Sequence, residues 1–148
     1  RLDNTTVVGS GVEDVASFWG IRSWPDGFAR LNLGGRILEV VAVPGHHPSS
    51  IAIFDERTGL LISGDSLLPG RVIINDLSAF RASARRLAEF AASRSVAWVV
   101  GAHVEMDGAG SLYRAGAGAH PDERPAALPA ASVVELQAIG RASCRASV

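Results

Sequence analysis

Three short segments carry side chains able to hold a metal ion: Pro44-Gly45-His46-His47, Gly64-Asp65 and Gly101-Ala102-His103. Each follows an apolar run of the kind that forms a strand, and strand ends are rigid points from which several side chains can be aimed at one place. A hydrolytic metal site needs neutral imidazoles and carboxylates, a stiff frame, and one coordination position left open for a water whose pKa is brought to about 7. Two His and one Asp meet the donor requirement. The steps of 19 residues from His46 to Asp65 and 38 from Asp65 to His103 are long, so only the fold can bring them together. Nothing upstream of His46 supplies further ligands, which makes this half of an active site.

Each residue taken singly also has a common structural use. A His after Pro-Gly is often a turn residue, Gly-Asp after a strand is a frequent cap or turn pair, and a His after a strand can simply be half-buried. It is their recurrence, one after each of three strands, that points to chemistry.

The elements that must position them read as follows. Thr5 to Val8 is a short β-branched run, and Ser10-Gly11-Val12-Glu13 has capping-box spacing before a brief helix over 12–19. Trp24-Pro25-Asp26-Gly27 is turn chemistry, and Leu31-Asn32-Leu33 before Gly34-Gly35 reads as a strand entering a hairpin. Its partner, Arg36 to Val43, is almost wholly apolar, as a strand covered on both faces should be. Ile51 to Phe54 and Leu60 to Ser63 flank a polar connection ending in Gly59, a second hairpin. Phe80, Ala84, Leu87 and Ala91 recur at helical spacing over 78–93, with Asp76 or Ser78 as cap, and Val96 to Val100 is a buried strand leading to His103. Strand, hairpin, helix, strand is the rhythm of an α/β layer, and the core is expected over 5–106. Residues 107–127 have no periodicity and are expected as a mobile loop, either a flap beside the site or plain disorder. Ser132-x-x-Glu135 caps a last helix over 132–141 with Val133, Leu136 and Ile139 on one face.

Composition excludes several classes. The 148 residues suit one domain with a genuine core. Fourteen basic residues, all Arg, and 15 acidic ones give a net charge of −1 with no basic stripe, so nucleic acid is not expected as a partner. The tightest group, Arg81, Arg85 and Arg86, reads as a solvated helix face. No apolar run approaches the ~20 residues of a membrane span, so no membrane is expected either. Cys144 stands alone, so no disulfide framework exists. The chain begins at Arg1 and its single Met is Met106, so a true N-terminus is not expected here; the cytoplasm is the favoured compartment.

A strand ending in Pro-Gly-His, a hairpin ending in Gly-Asp, a helix, then a strand ending in Gly-x-His resembles the C-terminal half of the metallo-β-lactamase superfamily, over about Arg36 to His103. The stretch His103-Val104-Glu105-Met106, with Pro121-Asp122-Glu123 after it, is similar to one subgroup of hydrolases within it. The resemblance implies an α/β fold, half of an αββα sandwich, and two metal ions, usually zinc, with iron or manganese as alternatives. It implies that His46 ligates the first metal, Asp65 bridges both and His103 ligates the second, with His47 in a supporting or pocket role where the family commonly has a small hydroxyl residue. The implied reaction is hydrolysis of an ester, thioester or lactone carbonyl in a small-molecule substrate by metal-bound hydroxide, leaning toward hydroxyacyl-thioester hydrolases.

The family's His-x-His-x-Asp-His motif, which supplies most first-metal ligands, is missing. A chain without it is expected to bind metal weakly, to be inactive alone, and to expose an apolar face that the missing N-terminal half or a pairing subunit would cover. Two further readings stand beside this one. A non-catalytic half-domain acting as an interaction module has the same residues. A calcineurin-like metallophosphoesterase shares Gly64-Asp65 and Gly101-Ala102-His103, but has Leu68 where an Asp is needed and Ala102 where an Asn is needed.

Overall fold

The computed structural model describes residues 3–142. In chain order it forms α1 (Val12–Trp19), β1 (Phe28–Asn32), β2 (Ile37–Ala42), β3 (Ile51–Asp55), β4 (Leu60–Gly64), α2 (Leu77–Ala92), β5 (Trp98–Gly101), β6 (Ala127–Pro129) and α3 (Ala131–Ala142). The strands form one mixed sheet in the order β1-β2-β3-β4-β5-β6. Both expected hairpins are present, β1 with β2 and β3 with β4. The helix α2 carries the chain from β4 to β5, which therefore pair in parallel, as crossover connections require.

Strand direction is the feature that matters for function. β2 and β4 are each antiparallel to β3, and β5 is parallel to β4, so β2, β4 and β5 all run the same way. Their ends, followed by His46, Asp65 and His103, lie along one edge of the sheet. Gly64 and Gly101 are direct register partners there, and the Ala102 N–H donates to the Gly64 carbonyl at 3.0 Å.

One face of the sheet is covered. Val41, Val43, Ala52, Phe54, Leu61, Val99 and Leu128 form a core with Leu87 and Phe90 of α2 and Val133 of α3. α2 is capped by Asp76, whose side chain accepts from the Ala79 N–H at 2.9 Å. On the opposite face Val40 and Ala42 are buried, but Leu31 of β1, Ile62 of β4 and Trp98 of β5 are 36%, 41% and 52% exposed.

Two buried carboxylates, hidden within apolar runs of sequence, tie the strands together. Glu39 of β2 sits between Arg30 of β1, 2.8 Å away, and Arg94 after α2. Burial pushes its carboxyl up, but hydrogen bonds and charge from Arg94 and Arg30 outweigh this and hold it below its ordinary value. Asp55, at the end of β3, accepts from Arg36 at 2.5 Å and from the Thr58 hydroxyl at 2.5 Å. The Arg36 hydrogen bond, then the Thr58 one, lowers its pKa from 3.8 to about 2.

Several sequence expectations are corrected. Thr5 to Val8 pairs with no strand among the described residues, and Val7 is 74% exposed; β-branched propensity makes no strand without a partner ladder. α1 is capped by Gly11 with no side-chain bond, so Ser10 is not its cap. Ser132 lies inside the first turn of α3 and not ahead of it. Arg86 is no solvated residue: it bonds Asp26 at 3.0 Å and the Ala42 carbonyl at 3.4 Å. Beside these corrections, residues 107–127 run into the first residue of β6, with isolated bridges between Met106 and Leu112 and between Asp107 and Glu123. The side chain of Ile139 and the tail around Cys144 lie outside the described residues.

Two predictions follow from this frame. A Cβ at Gly101 would meet Leu68 Cβ at 2.4 Å and the Leu67 carbonyl at 2.8 Å, so Gly101→Ala should lower stability by about 1–3 kcal/mol in urea unfolding, the usual cost of overpacking. Because the folded pKa of Asp55 is depressed, its contribution is complete above 3.8 and is lost as pH falls toward 2; unfolding measured across that window should lose part of its acid dependence in Asp55→Asn.

Candidate functional site

The edge where β2, β4 and β5 end is built by close backbone contacts. Gly45 has φ +145° and no room for a side chain, since a Cβ would lie 2.6 Å from Phe80 Cα. Its carbonyl accepts from the N–H groups of Asn75 and Asp76, both at 2.9 Å, and the Pro44 carbonyl accepts from the Ser83 hydroxyl at 2.6 Å. Asn75 also donates through Nδ2 to the His46 carbonyl at 2.5 Å. The Pro-Gly-His turn is thereby clamped to the start of α2.

From this frame the three expected residues meet. His46 Nε2 lies 3.6 Å from Asp65 Oδ2, and His103 Nε2 lies 3.2 Å from Asp65 Oδ1. One carboxylate faces two imidazoles, one on each oxygen. Their side chains are 29%, 34% and 45% exposed for His46, Asp65 and His103, so the site opens to solvent.

His46 Nδ1 lies 2.9 Å from the Ile73 carbonyl. A carbonyl only accepts, so Nδ1 carries a proton there, and in the neutral imidazole Nε2 is left to turn its lone pair toward Asp65. A lone pair against a carboxylate oxygen is repulsive until a cation sits between them, which is the condition a metal ligand pair presents. The donor set therefore fits a metal bridged by Asp65. Among the described residues no three His, Cys, Asp or Glu side chains surround a single ion position. The two imidazoles instead address opposite oxygens, a spread that suits two ion positions, each needing more ligands than these residues supply.

His47 is not part of this meeting. Its Nδ1 lies 2.8 Å from the Ser49 hydroxyl, which donates to the Ser10 carbonyl at 2.7 Å, so it ties its own turn to the entrance of α1. Sequence reasoning left Glu105 and Arg71 without roles. Glu105 Oε1 is 3.7 Å from His103 Nδ1, and Oε2 is 3.1 Å from Arg71 Nε. The available signal was the two-residue step from His103, which keeps both side chains on one side of an extended segment.

A family model described as the metallo-beta-lactamase superfamily matches residues 7–103. The acyl-coenzyme A thioesterase MBLAC2 of Gallus gallus is 35% identical over 88 residues, covering 57% of this chain and 32% of that protein. The chain thus spans about a third of the length of this curated relative. Among solved structures, a metallo-beta-lactamase from Pontibacter korlensis superposes with a TM-score of 0.51 at 13% identity, over 78% of this chain and 46% of that one. A double mutant of the sec-alkyl sulfatase PisA1 gives 0.52 at 14% identity, over 79% and 17%. These two likenesses concern the fold alone. With the model match extending over most of the chain and ending at His103, the chain belongs to the metallo-β-lactamase superfamily.

Proposed function

We propose that this chain forms the C-terminal half of a two-metal hydrolase, with His46 on the first metal, Asp65 bridging both and His103 on the second. The observation that supports this best is the placement of two imidazole Nε2 atoms on the two oxygens of one carboxylate. Imidazole and carboxylate donors suit zinc, and iron or manganese accept the same set. When bound, the metal pair supplies a nucleophile at neutral pH and polarises the scissile carbonyl. The chain's own part is to hold the bridge: Asp65 leaves the end of β4 with one oxygen toward each imidazole, and the Ile73 carbonyl favours the His46 tautomer in which Nε2 is the metal-facing nitrogen.

The substrate we infer is a small-molecule thioester. A thioester carbonyl, like that of an ester or lactone, is an acyl centre open to hydroxide attack, and a relative named as an acyl-coenzyme A thioesterase favours the thioester among these. The remaining ligands come from an N-terminal half or a pairing subunit. The exposed Leu31, Ile62 and Trp98 offer such a partner apolar surface to bury. No described helix is long and apolar enough to cross a membrane.

Two outcomes test this reading. In the longer protein, Asp65→Ala should lower the zinc content measured by elemental analysis and abolish thioester hydrolysis; full turnover in that variant contradicts the assignment. Residues 1–148 alone should bind zinc more weakly than the longer protein in chelator competition and show no hydrolysis above buffer, since three donors shared between two ions leave both under-coordinated.

A further inference from the structure

Both histidines have an outer nitrogen as well as an inner one, and one stretch of chain serves both. The connection between β4 and α2 supplies the Ile73 carbonyl to His46 Nδ1. The same connection holds Glu105, which faces His103 Nδ1. Glu105 is fixed independently of His103. Its N–H donates to the Pro69 carbonyl at 2.8 Å, and its carbonyl accepts from the Tyr113 N–H at 2.9 Å. Its Oε2 takes both the Arg71 backbone N–H, at 3.3 Å, and Arg71 Nε, at 3.1 Å. Gly70 lets this happen, since a Cβ there would lie 2.8 Å from Glu105 Cβ. Arg71 also donates from Nη1 to the Tyr113 carbonyl at 3.2 Å, which closes the arrangement.

With Oε2 committed to Arg71, the oxygen that remains is Oε1, and it faces the imidazole at 3.7 Å. That is ion-pair range and longer than a hydrogen bond. An imidazole that binds metal through Nε2 carries its proton on Nδ1, and a carboxylate acceptor there fixes the ring and raises its basicity.

We propose that Glu105, held by Arg71, is a positioning residue for His103, accepting its Nδ1 proton and so directing Nε2 toward Asp65 and the second metal. This rests on the two-metal reading above. Glu105 does not touch substrate or metal.

The test is cobalt(II) titration of the longer protein, followed by absorption spectroscopy and chelator competition, with variants His103→Ala, Glu105→Ala, Glu105→Gln and Arg71→Met. Glu105→Ala should weaken the second cobalt equivalent by about 10–100-fold and leave the first close to wild type. Glu105→Gln offers a single acceptor oxygen to both Arg71 and His103 Nδ1, so it should weaken the second equivalent as well. Wild-type binding of both equivalents by Glu105→Ala, where His103→Ala has lost the second, overturns the role of Glu105 alone. Wild-type binding of both equivalents by Glu105→Gln overturns it as well, since one amide oxygen cannot serve Arg71 and His103 Nδ1 together. Retention of both equivalents by His103→Ala overturns the two-metal reading instead. Should Glu105→Ala fail to fold, Arg71→Met decides: selective weakening of the second equivalent supports the proposal, and unchanged binding of both overturns it.

Discussion

Three strands that run in one direction and end together are the constraint on which the rest depends. β2 and β4 are aligned by the antiparallel strand between them, and β5 is aligned by the crossover through α2. Without the crossover, β5 would deliver His103 to the opposite edge of the sheet. With it, residues 19 and 38 positions apart in sequence arrive around one carboxylate. Ligands sit in this way at the carboxyl ends of strands because a sheet edge is stiff and the turns leaving it are short.

The charges buried in the sheet serve the same end. A carboxylate taken out of water is costly unless it is fully paired, so Glu39 and Asp55 act as register pins that tolerate few alternatives. Asp55 at the end of β3 meets Arg36 at the start of β2, and Glu39 in β2 meets Arg30 and Arg94. A slip of one residue in β2 would break both pairs and move every side chain to the other face. It would also displace Pro44-Gly45 from the start of α2, where the Gly45 carbonyl takes two N–H donors. Register in the hairpins and the position of the candidate site at the edge are thus one problem.

Much of this was legible in the sequence because it rests on local rules. The hairpins at Gly34-Gly35 and 55–59, the helix capped near Asp76 and the three Gly-containing strand ends follow from turn chemistry and periodicity, and the order of the strand ends carried the family resemblance. What stayed hidden depends on tertiary neighbours. Glu39 in an apolar run looks like an interruption until Arg94, 55 residues on, is seen beside it. The 107–127 segment has no period to read, yet its backbone bonds to Glu105 and Met106. Thr5 to Val8 failed in the opposite sense, since its composition favours a strand that no described neighbour completes.

The exposed Leu31, Ile62 and Trp98 and the under-supplied donors at Asp65 describe the same condition from two sides. A sheet face with exposed Leu31, Ile62 and Trp98 and a carboxylate with one imidazole per oxygen are the two features the proposed second half would complete. X-ray absorption on the zinc-loaded longer protein addresses the shared carboxylate most directly. A bridging Asp65 requires a metal–metal scattering path at about 3.5–4 Å, lost in Asp65→Asn while imidazole scattering persists. Zinc that shows imidazole ligation with no metal neighbour, unchanged in Asp65→Asn, would contradict it.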